Sequence, residues 1–258
     1  MRLLAVGDIC GQVGCDYLLK ILLFLKKEKG IDAVIVNGEN SAEGNGITPQ
    51  SANLLFSAGA DVITGGNHSL RRPEVYDFLD SNPFILRPDN LSDESAGKGY
   101  CLVDFGSFSM AVINLSGRIY LERVNAENPF KSVDFLLERA KADGAKIIVV
   151  DFHAEATSEK KAMGFYLDGK VSAFFGTHTH IQTADEEILE GGTGYITDLG
   201  MTGPKDSVLG VKKEIIINRL RDNDMSKFVF ADGKCQLCGC IFDIDKNGKC
   251  IGIERIRV

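Results

Sequence analysis

No stretch of this sequence is long and apolar enough to cross a membrane. The longest apolar run, around Leu18 to Leu25, is too short and repeats with a helical period. Signal-peptide features are missing as well: Met1-Arg2-Leu3-Leu4-Ala5-Val6-Gly7-Asp8 has no separate charged region and no small-residue cleavage site, and it reads directly as a first strand. The expectation is a cytoplasmic protein with no membrane partner. Excess positive charge is also lacking. With 29 Lys+Arg against 36 Asp+Glu, the net charge of −7 argues against a large basic surface for duplex nucleic acid. A small phosphate ester is not excluded, because bound cations can supply positive charge locally. Seven cysteines are an odd number and do not make a disulfide scaffold in 258 residues, so free thiols in a reducing compartment are the simpler reading. There is no internal repeat, low-complexity segment or clear linker. Length and a 44% hydrophobic composition suit one domain over residues 1–258. Self-association is left open.

What is present is an alternation of strand and helix signals. Arg2 to Val6 and Asp32 to Val36 read as buried strands, and Tyr17 to Lys29 as an amphipathic helix with Leu18, Ile21, Leu22 and Leu25 on one face. Thr48-Pro49 predicts a helix start, with Thr48 as N-cap, running to about Ala58. Val62 to Thr64 is a third strand and Pro73 to Ser81 a further helix. Tyr100 to Phe105 and Ser109 to Leu115 flank Gly106-Ser107 as a β-hairpin. Phe130 to Asp143 and Ser158 to Leu167 read as helices, Lys146 to Phe152 and Val171 to Gly176 as strands. After Thr197 the pattern predicts only short strands, closing with a hairpin of Gly239 to Ile244 and Ile251 to Ile256. The fold class is α/β, with mixed sheets packed together and helices outside.

Histidine is scarce, and all four histidines end β-branched or aromatic runs at small clusters of metal-binding residue types. Five clusters follow predicted strands: Gly7-Asp8, Asn37-Gly38-Glu39-Asn40, Gly66-Asn67-His68, His153, and Gly176-Thr177-His178-Thr179-His180. The carboxyl ends of strands are where α/β sheets build sites. The donors are carboxylate, imidazole and amide oxygen rather than thiolate, a set that favours manganese, iron or zinc. Seven candidate ligands exceed what one ion takes from protein; two ions sharing a carboxylate use them naturally. On a strand or extended loop, His178 and His180 would point to the same side.

Each cluster taken alone has a bland explanation: surface histidines after a strand, a turn capped by Asn67, an exposed loop acid at Glu39, a common first-strand Asp8. Jointly and in this order, those explanations lose.

The order resembles the calcineurin-like metallophosphoesterase superfamily and, within it, the YmdB-like family of cyclic-nucleotide phosphodiesterases. Gly7-Asp8-Ile9, the Asn37 to Asn40 and Gly66 to His68 clusters, Asp151 to Lys160, Gly176 to Asp185 and Thr197 to Pro204 carry the likeness. The resemblance implies a metallophosphoesterase-type sandwich of two mixed β-sheets flanked by helices. It implies Asp8, Glu39 and His180 on one metal, and Glu39, Asn67, His153 and His178 on the other, with Glu39 bridging and Asn40 beside the ions. It implies His68 as general acid or charge stabiliser at the leaving oxygen rather than as ligand. Two divalent or mixed-valence ions would result, iron or manganese ahead of zinc. They would supply a bridging hydroxide that attacks a small phosphodiester, such as a 2′,3′- or 3′,5′-cyclic nucleotide. Backbone N–H groups near Gly44 or Gly200 to Gly203 are further candidates for the phosphate.

Three departures stand out. Cys10 occupies the place of a histidine common in the superfamily, and reads as a packed thiol. Glu39 replaces the superfamily's Asp, as in this branch. Ser69-Leu70-Arg71 follows Asn67-His68 where the branch has Thr-Trp-Asp, and the chain has no Trp. Cys235, Cys238 and Cys240 form C-x2-C-x-C without an evident fourth zinc ligand, and read as buried or edge thiols. Three rivals remain: an amidohydrolase on a (β/α)8 barrel, disfavoured because its H-x-H comes early and its metal-binding Asp last; a regulatory module binding RNA or nucleotide without turnover; and a phosphomonoesterase.

Overall fold

The computed structural model describes residues 1–92, 96–121 and 124–258. Its first half runs β1 (Arg2–Val6), β2 (Asp8–Ile9), α1 (Gly11–Lys29), β3 (Ala33–Asn37), α2 (Pro49–Ala58), β4 (Val62–Thr64), a 3₁₀ turn and α3 (Tyr76–Ser81). The middle holds β5 (Tyr100–Asp104), β6 (Ser109–Ser116), α4 (Pro129–Ala142), β7 (Ile147–His153), α5 (Thr157–Leu167) and β8 (Ala173–Thr177). The last third holds β9 (Glu187–Ile188), β10 (Gly194–Ile196), β11 (Met201–Pro204), α6 (Lys213–Asp222), β12 (Cys235–Gln236), β13 (Cys238–Ile244) and β14 (Cys250–Arg257).

Two mixed sheets dominate, one ordered β14-β13-β1-β3-β4 and the other β5-β6-β7-β8-β10-β9. The strands explain their own stacking, because successive residues serve opposite faces. Leu3 and Ala5 of β1 pack with Val112 of β6 and Val149 of β7 between the sheets, whereas Leu4 and Val6 face α1 and α2. Likewise Ile148, Val150 and Phe152 of β7 face α4 and α5. Four layers result, helix on sheet on sheet on helix, which is the sandwich of mixed sheets the sequence predicts. A small third sheet, β12-β11-β2, carries Asp8 beside Met201. Among the described residues, no helix is long and apolar enough to cross a membrane.

Two elements depart from expectation. Helix α1 begins at Gly11 rather than near Tyr17. Its first turn has no apolar stripe because it lies against β11 backbone; a Cβ on Gly14 would sit 2.6 Å from the Thr202 carbonyl oxygen. Helix α6 lies where the sequence predicts only short strands. Ile215-Ile216-Ile217 reads locally as strand, but the segment coils and stops at Asn223, which takes a left-handed φ of 57°. No α6 residue is buried.

Candidate metal centre

All seven candidate ligands come from strand ends or the turns that follow them, along one edge where the two large sheets meet. Asp8 lies in β2, Glu39 and Asn40 follow β3, Asn67 follows β4, His153 ends β7, and His178 and His180 follow β8. Gly66 makes the convergence possible: a Cβ there would lie 2.0 Å from Glu39 Oε2 and 2.3 Å from His153 Nε2.

One group centres on His153 Nε2. Glu39 Oε1 lies 3.2 Å away, Asn67 Oδ1 3.1 Å and His178 Nδ1 3.0 Å. The remaining ring nitrogens are already committed. Thr177 Oγ1 donates to Asp151 Oδ1 at 2.7 Å, so it accepts from His153 Nδ1 at 2.9 Å. In the neutral ring that leaves the His153 Nε2 lone pair toward the cluster. His178 Nε2 lies 3.1 Å from Glu155 Oε2, a partner that accepts when ionised, so Nδ1 is the free lone pair. Three acceptors around one nitrogen cannot share one proton, but a cation satisfies them together. Glu39, His153 and His178 meet the distance requirement for one ion.

The second group joins Asp8, His180, Asn40 and Glu39. His180 Nε2 is 3.6 Å from Asp8 Oδ1 and 3.2 Å from Asn40 Nδ2, and Asn40 Nδ2 is 3.4 Å from Glu39 Oε1. His180 Nδ1 donates to the Leu209 carbonyl at 3.1 Å, so the Nε2 lone pair faces Asn40 Nδ2 and the cluster. Asp8 Oδ1 and Asn40 Oδ1 are buried without any hydrogen-bond partner. Buried oxygens are rarely left so unless a water or an ion completes them. Glu39, His153 and His178 therefore suit one cation by distance, and Asp8, Asn40 and His180 offer donor chemistry that suits a second.

The electrostatics agree with a site short of positive charge. Burial raises the Asp8 carboxyl despite His180 and His153. Burial would raise Glu39 too, but the charge and hydrogen bond of His153 outweigh it and bring the carboxyl down to about 2. Burial, reinforced by His153, drives His178 down to about 3, so its ring is neutral and ligand-ready at any ordinary pH.

Behind the ligands, Asp151 accepts from Thr64 Oγ1, Thr177 Oγ1 and, at 3.0 Å, Asn37 Nδ2, tying the two large sheets together. Its burial nevertheless pushes its carboxyl up to about 6. Asp151 and Thr177 stand in the sequence motifs without a role of their own there. The signal was there: Asp151 and His153 are two apart on β7 and share a face, and His153 pairs with Thr177 across β7 and β8. Glu155 and Asp198 were also missed. Asp198 Oδ2 accepts from the Thr179 N–H at 3.1 Å and the Thr179 hydroxyl at 2.8 Å, holding the turn between the two histidines.

Two expectations need correction. His178 and His180 do not lie on a pleat; both take left-handed φ, 103° and 62°, and so face different groups of the cluster. The Gly200 to Gly203 stretch offers no free turn for phosphate, because Met201 to Gly203 lie in buried β11 and the Gly200 N–H already donates to Asp198 at 2.8 Å. Cys10 is fully buried, 3.5 Å from His180 Nδ1 and 3.6 Å from Met201 Sδ. All seven cysteines are free.

His68 lines the cavity beside the donor groups, its ring nitrogens 3.3 Å from Asn67 Nδ2. Its backbone N–H donates to Glu39 Oε2 at 3.1 Å. The cavity has a volume of about 370 Å³, with Glu39, Asn40, His178 and His180 at its base.

A family model described as YmdB-like protein matches residues 4–256. The chain belongs to the YmdB-like family. It is 45% identical to the 2′,3′-cyclic-nucleotide 2′-phosphodiesterase of Bacillus subtilis (strain 168), over all of this chain and 97% of that protein. It is 34% identical to a putative phosphatase/phosphodiesterase of Mycoplasma pneumoniae, covering 93% of it. Among solved structures, a hypothetical protein from Thermus thermophilus superposes with TM-score 0.92 at 36% identity, over 100% of this chain and 99% of that one. A more distant neighbour, in fold alone, is a putative 5′-nucleotidase from Staphylococcus aureus, TM-score 0.60 at 17% identity, covering 98% of this chain and 52% of that one.

Proposed function

We propose that this protein is a phosphodiesterase dependent on two cations, acting on small phosphodiesters of the cyclic-nucleotide class. That the chain is a hydrolase of phosphoric esters follows from its full-length kinship with enzymes so named. The observation that carries the finer reading is the meeting of three acceptors at His153 Nε2 beside the orphaned oxygens of Asp8 and Asn40. Asp8, Asn40 and His180 would hold one cation, Asn67, His153 and His178 the other, with Glu39 shared. The donor set suits iron or manganese, with zinc next. When bound, the cations supply positive charge for the phosphate and acidify water toward neutral pH. The 45% identity to a 2′,3′-cyclic-nucleotide 2′-phosphodiesterase supports 2′,3′-cyclic nucleotides ahead of 3′,5′-cyclic ones. The reading takes residues 1–258 as one domain, and takes the free thiols as the sign of a reducing, cytoplasmic setting.

The protein's own residues then have distinct tasks. Asp151 and Thr177 orient the His153 ring. Glu155 and the Leu209 carbonyl hold protons on the far nitrogens of His178 and His180. His68 is held below the usual imidazole range by burial, with Glu39 opposing and Arg71 reinforcing. Its N–H donates to the departing ester oxygen, where charge develops.

The test is one preparation purified without chelator. Elemental analysis should find about two ions per chain, and cyclic nucleotides and a nitrophenyl diester should be hydrolysed faster than a nitrophenyl monoester. His68→Ala should keep its metal and lose about 100-fold or more in turnover. A His68→Ala protein that sheds metal but keeps its rate overturns the assignment, and nucleotide binding without turnover at full loading makes the protein a binding module instead.

A further inference from the structure

The cavity has two unlike halves. Its base is the ligand cluster, with Asn45, His68, Glu155 and Thr179 around it. Its other side is apolar: Val208, Leu209, Val211, Ile216, Phe228 and Phe230. That side is built by the segment around α6. Val211 bridges to Val208 and to Phe230, and Lys212 N–H donates to the Val229 carbonyl at 3.0 Å. Phe230 is seated on backbone that only glycine allows, since a Cβ on Gly11 would lie 2.6 Å from its ring. Phe228 remains 52% exposed, with the Arg219 guanidinium 4.2 Å from its ring centre. An exposed aromatic ring held in place on a cavity wall is a poor choice for folding and a good one for stacking.

The two halves are in fixed register. The Leu209 carbonyl that belongs to the apolar wall is the acceptor for His180 Nδ1 at 3.1 Å. A phosphate at the cluster therefore has the wall at a set distance from it. Apart from Arg219, whose guanidinium stacks on Phe228 and donates to the Ser226 carbonyl at 2.7 Å, the apolar side carries no side-chain donor or acceptor to read the edge of a base. Among the described residues, no Lys or Arg lines the cavity, while Glu39 and Glu155 do. Away from the cations that Glu39 would share, a second phosphate would find no Lys or Arg on the cavity lining and would face the Glu155 carboxylate.

We propose that the apolar wall is a base subsite: the substrate is a cyclic mononucleotide with a single phosphate, its base resting on Phe228 and Phe230 and accepted whatever its identity. This rests on the phosphodiesterase reading above and narrows it. Stacking on an aromatic ring tolerates every base because every base has a π-face, whereas discrimination needs hydrogen-bonding groups that the apolar lining lacks.

The test compares kcat/KM for the four 2′,3′-cyclic mononucleotides, their 5′-phosphorylated forms and glycerol 1,2-cyclic phosphate, which has no base. Metal-loaded wild type should treat the four bases within about five-fold, and turn over the base-free diester and the 5′-phosphorylated forms at least ten-fold less efficiently. Phe228→Ala should shrink the nucleotide-to-glycerol ratio by about ten-fold, through KM, with Phe228→Leu between the two. An unchanged ratio in Phe228→Ala, a 100-fold preference for one base, or equal use of the 5′-phosphorylated forms overturns the subsite while leaving the phosphodiesterase reading intact. A loaded wild-type protein that hydrolyses none of these diesters overturns both.

Discussion

His178 is held neutral by its surroundings, and this has a price that acid reveals. Its folded pKa is about 3 against an ordinary 6.5, chiefly through burial and then through His153. Below pH 6.5 the unfolded chain takes up a proton there that the folded chain refuses. The stability contribution is thus fully present above 6.5 and is lost as the pH falls toward 3. Glu39 has the same sign lower down, from 4.5 to about 2. His153, whose pKa is raised because Glu39 outweighs burial, has the opposite sign and loses its contribution as the pH rises above 6.5. The metal-free protein should therefore lose unfolding free energy between pH 6.5 and 4.5, His178 contributing at most about 1.4 kcal/mol per pH unit. Urea titrations at several pH values should show a shallower slope for His178→Gln than for wild type. Identical slopes would mean that the ring is not kept neutral by its site.

At the level of elements, the turn that presents His178 and His180 is held from behind. Lys160 of α5 donates to Asp198 Oδ2 at 2.7 Å, both side chains being out of contact with solvent. The same carboxylate accepts from Thr179 and Gly200. Removing one partner of such a pair strands a buried charge, so Asp198→Ala should destabilise the protein by about 3–5 kcal/mol and weaken metal binding together with it. A loss below about 1 kcal/mol in urea denaturation would show that the pair does not organise the turn. None of this is legible in the sequence, because Lys160 and Asp198 meet only after the sheet has formed. What is legible is local. Continuous apolar runs ending in Gly, Asn or Asp marked the buried strands and hence the site at their ends. Thr48-Pro49 marked α2 to the residue, Thr48 accepting from Ser51 N–H at 3.2 Å. Where tertiary contact overrides local preference, reading fails. The start of α1 depends on Gly14 approaching β11, α6 coils through three consecutive isoleucines, and the left-handed backbone at His178 and His180 redirects a pair expected to lie side by side.

Across the whole molecule, the candidate ligands divide between the two halves of the chain. Asp8, Glu39, Asn40 and Asn67 arrive from β2 and from the ends of β3 and β4; His153, His178 and His180 arrive from β7 and β8 of the other large sheet. Neither set is complete until the sheets dock, so cations bound between them bind the folded state and not the unfolded one. Free metal at 100 times its dissociation constant then adds about 2.7 kcal/mol to folding. For a chain of this size that is roughly 5–10 °C in melting temperature. Scanning calorimetry of chelator-stripped protein, with and without added Mn²⁺, should show that rise, and it should grow with the logarithm of metal concentration. Asp8→Ala and His153→Ala remove ligands from opposite halves of the chain, and each should shrink the metal-dependent part of the rise. If only one of them does, the cations do not span the two halves, and a single site on one half accounts for the stabilisation.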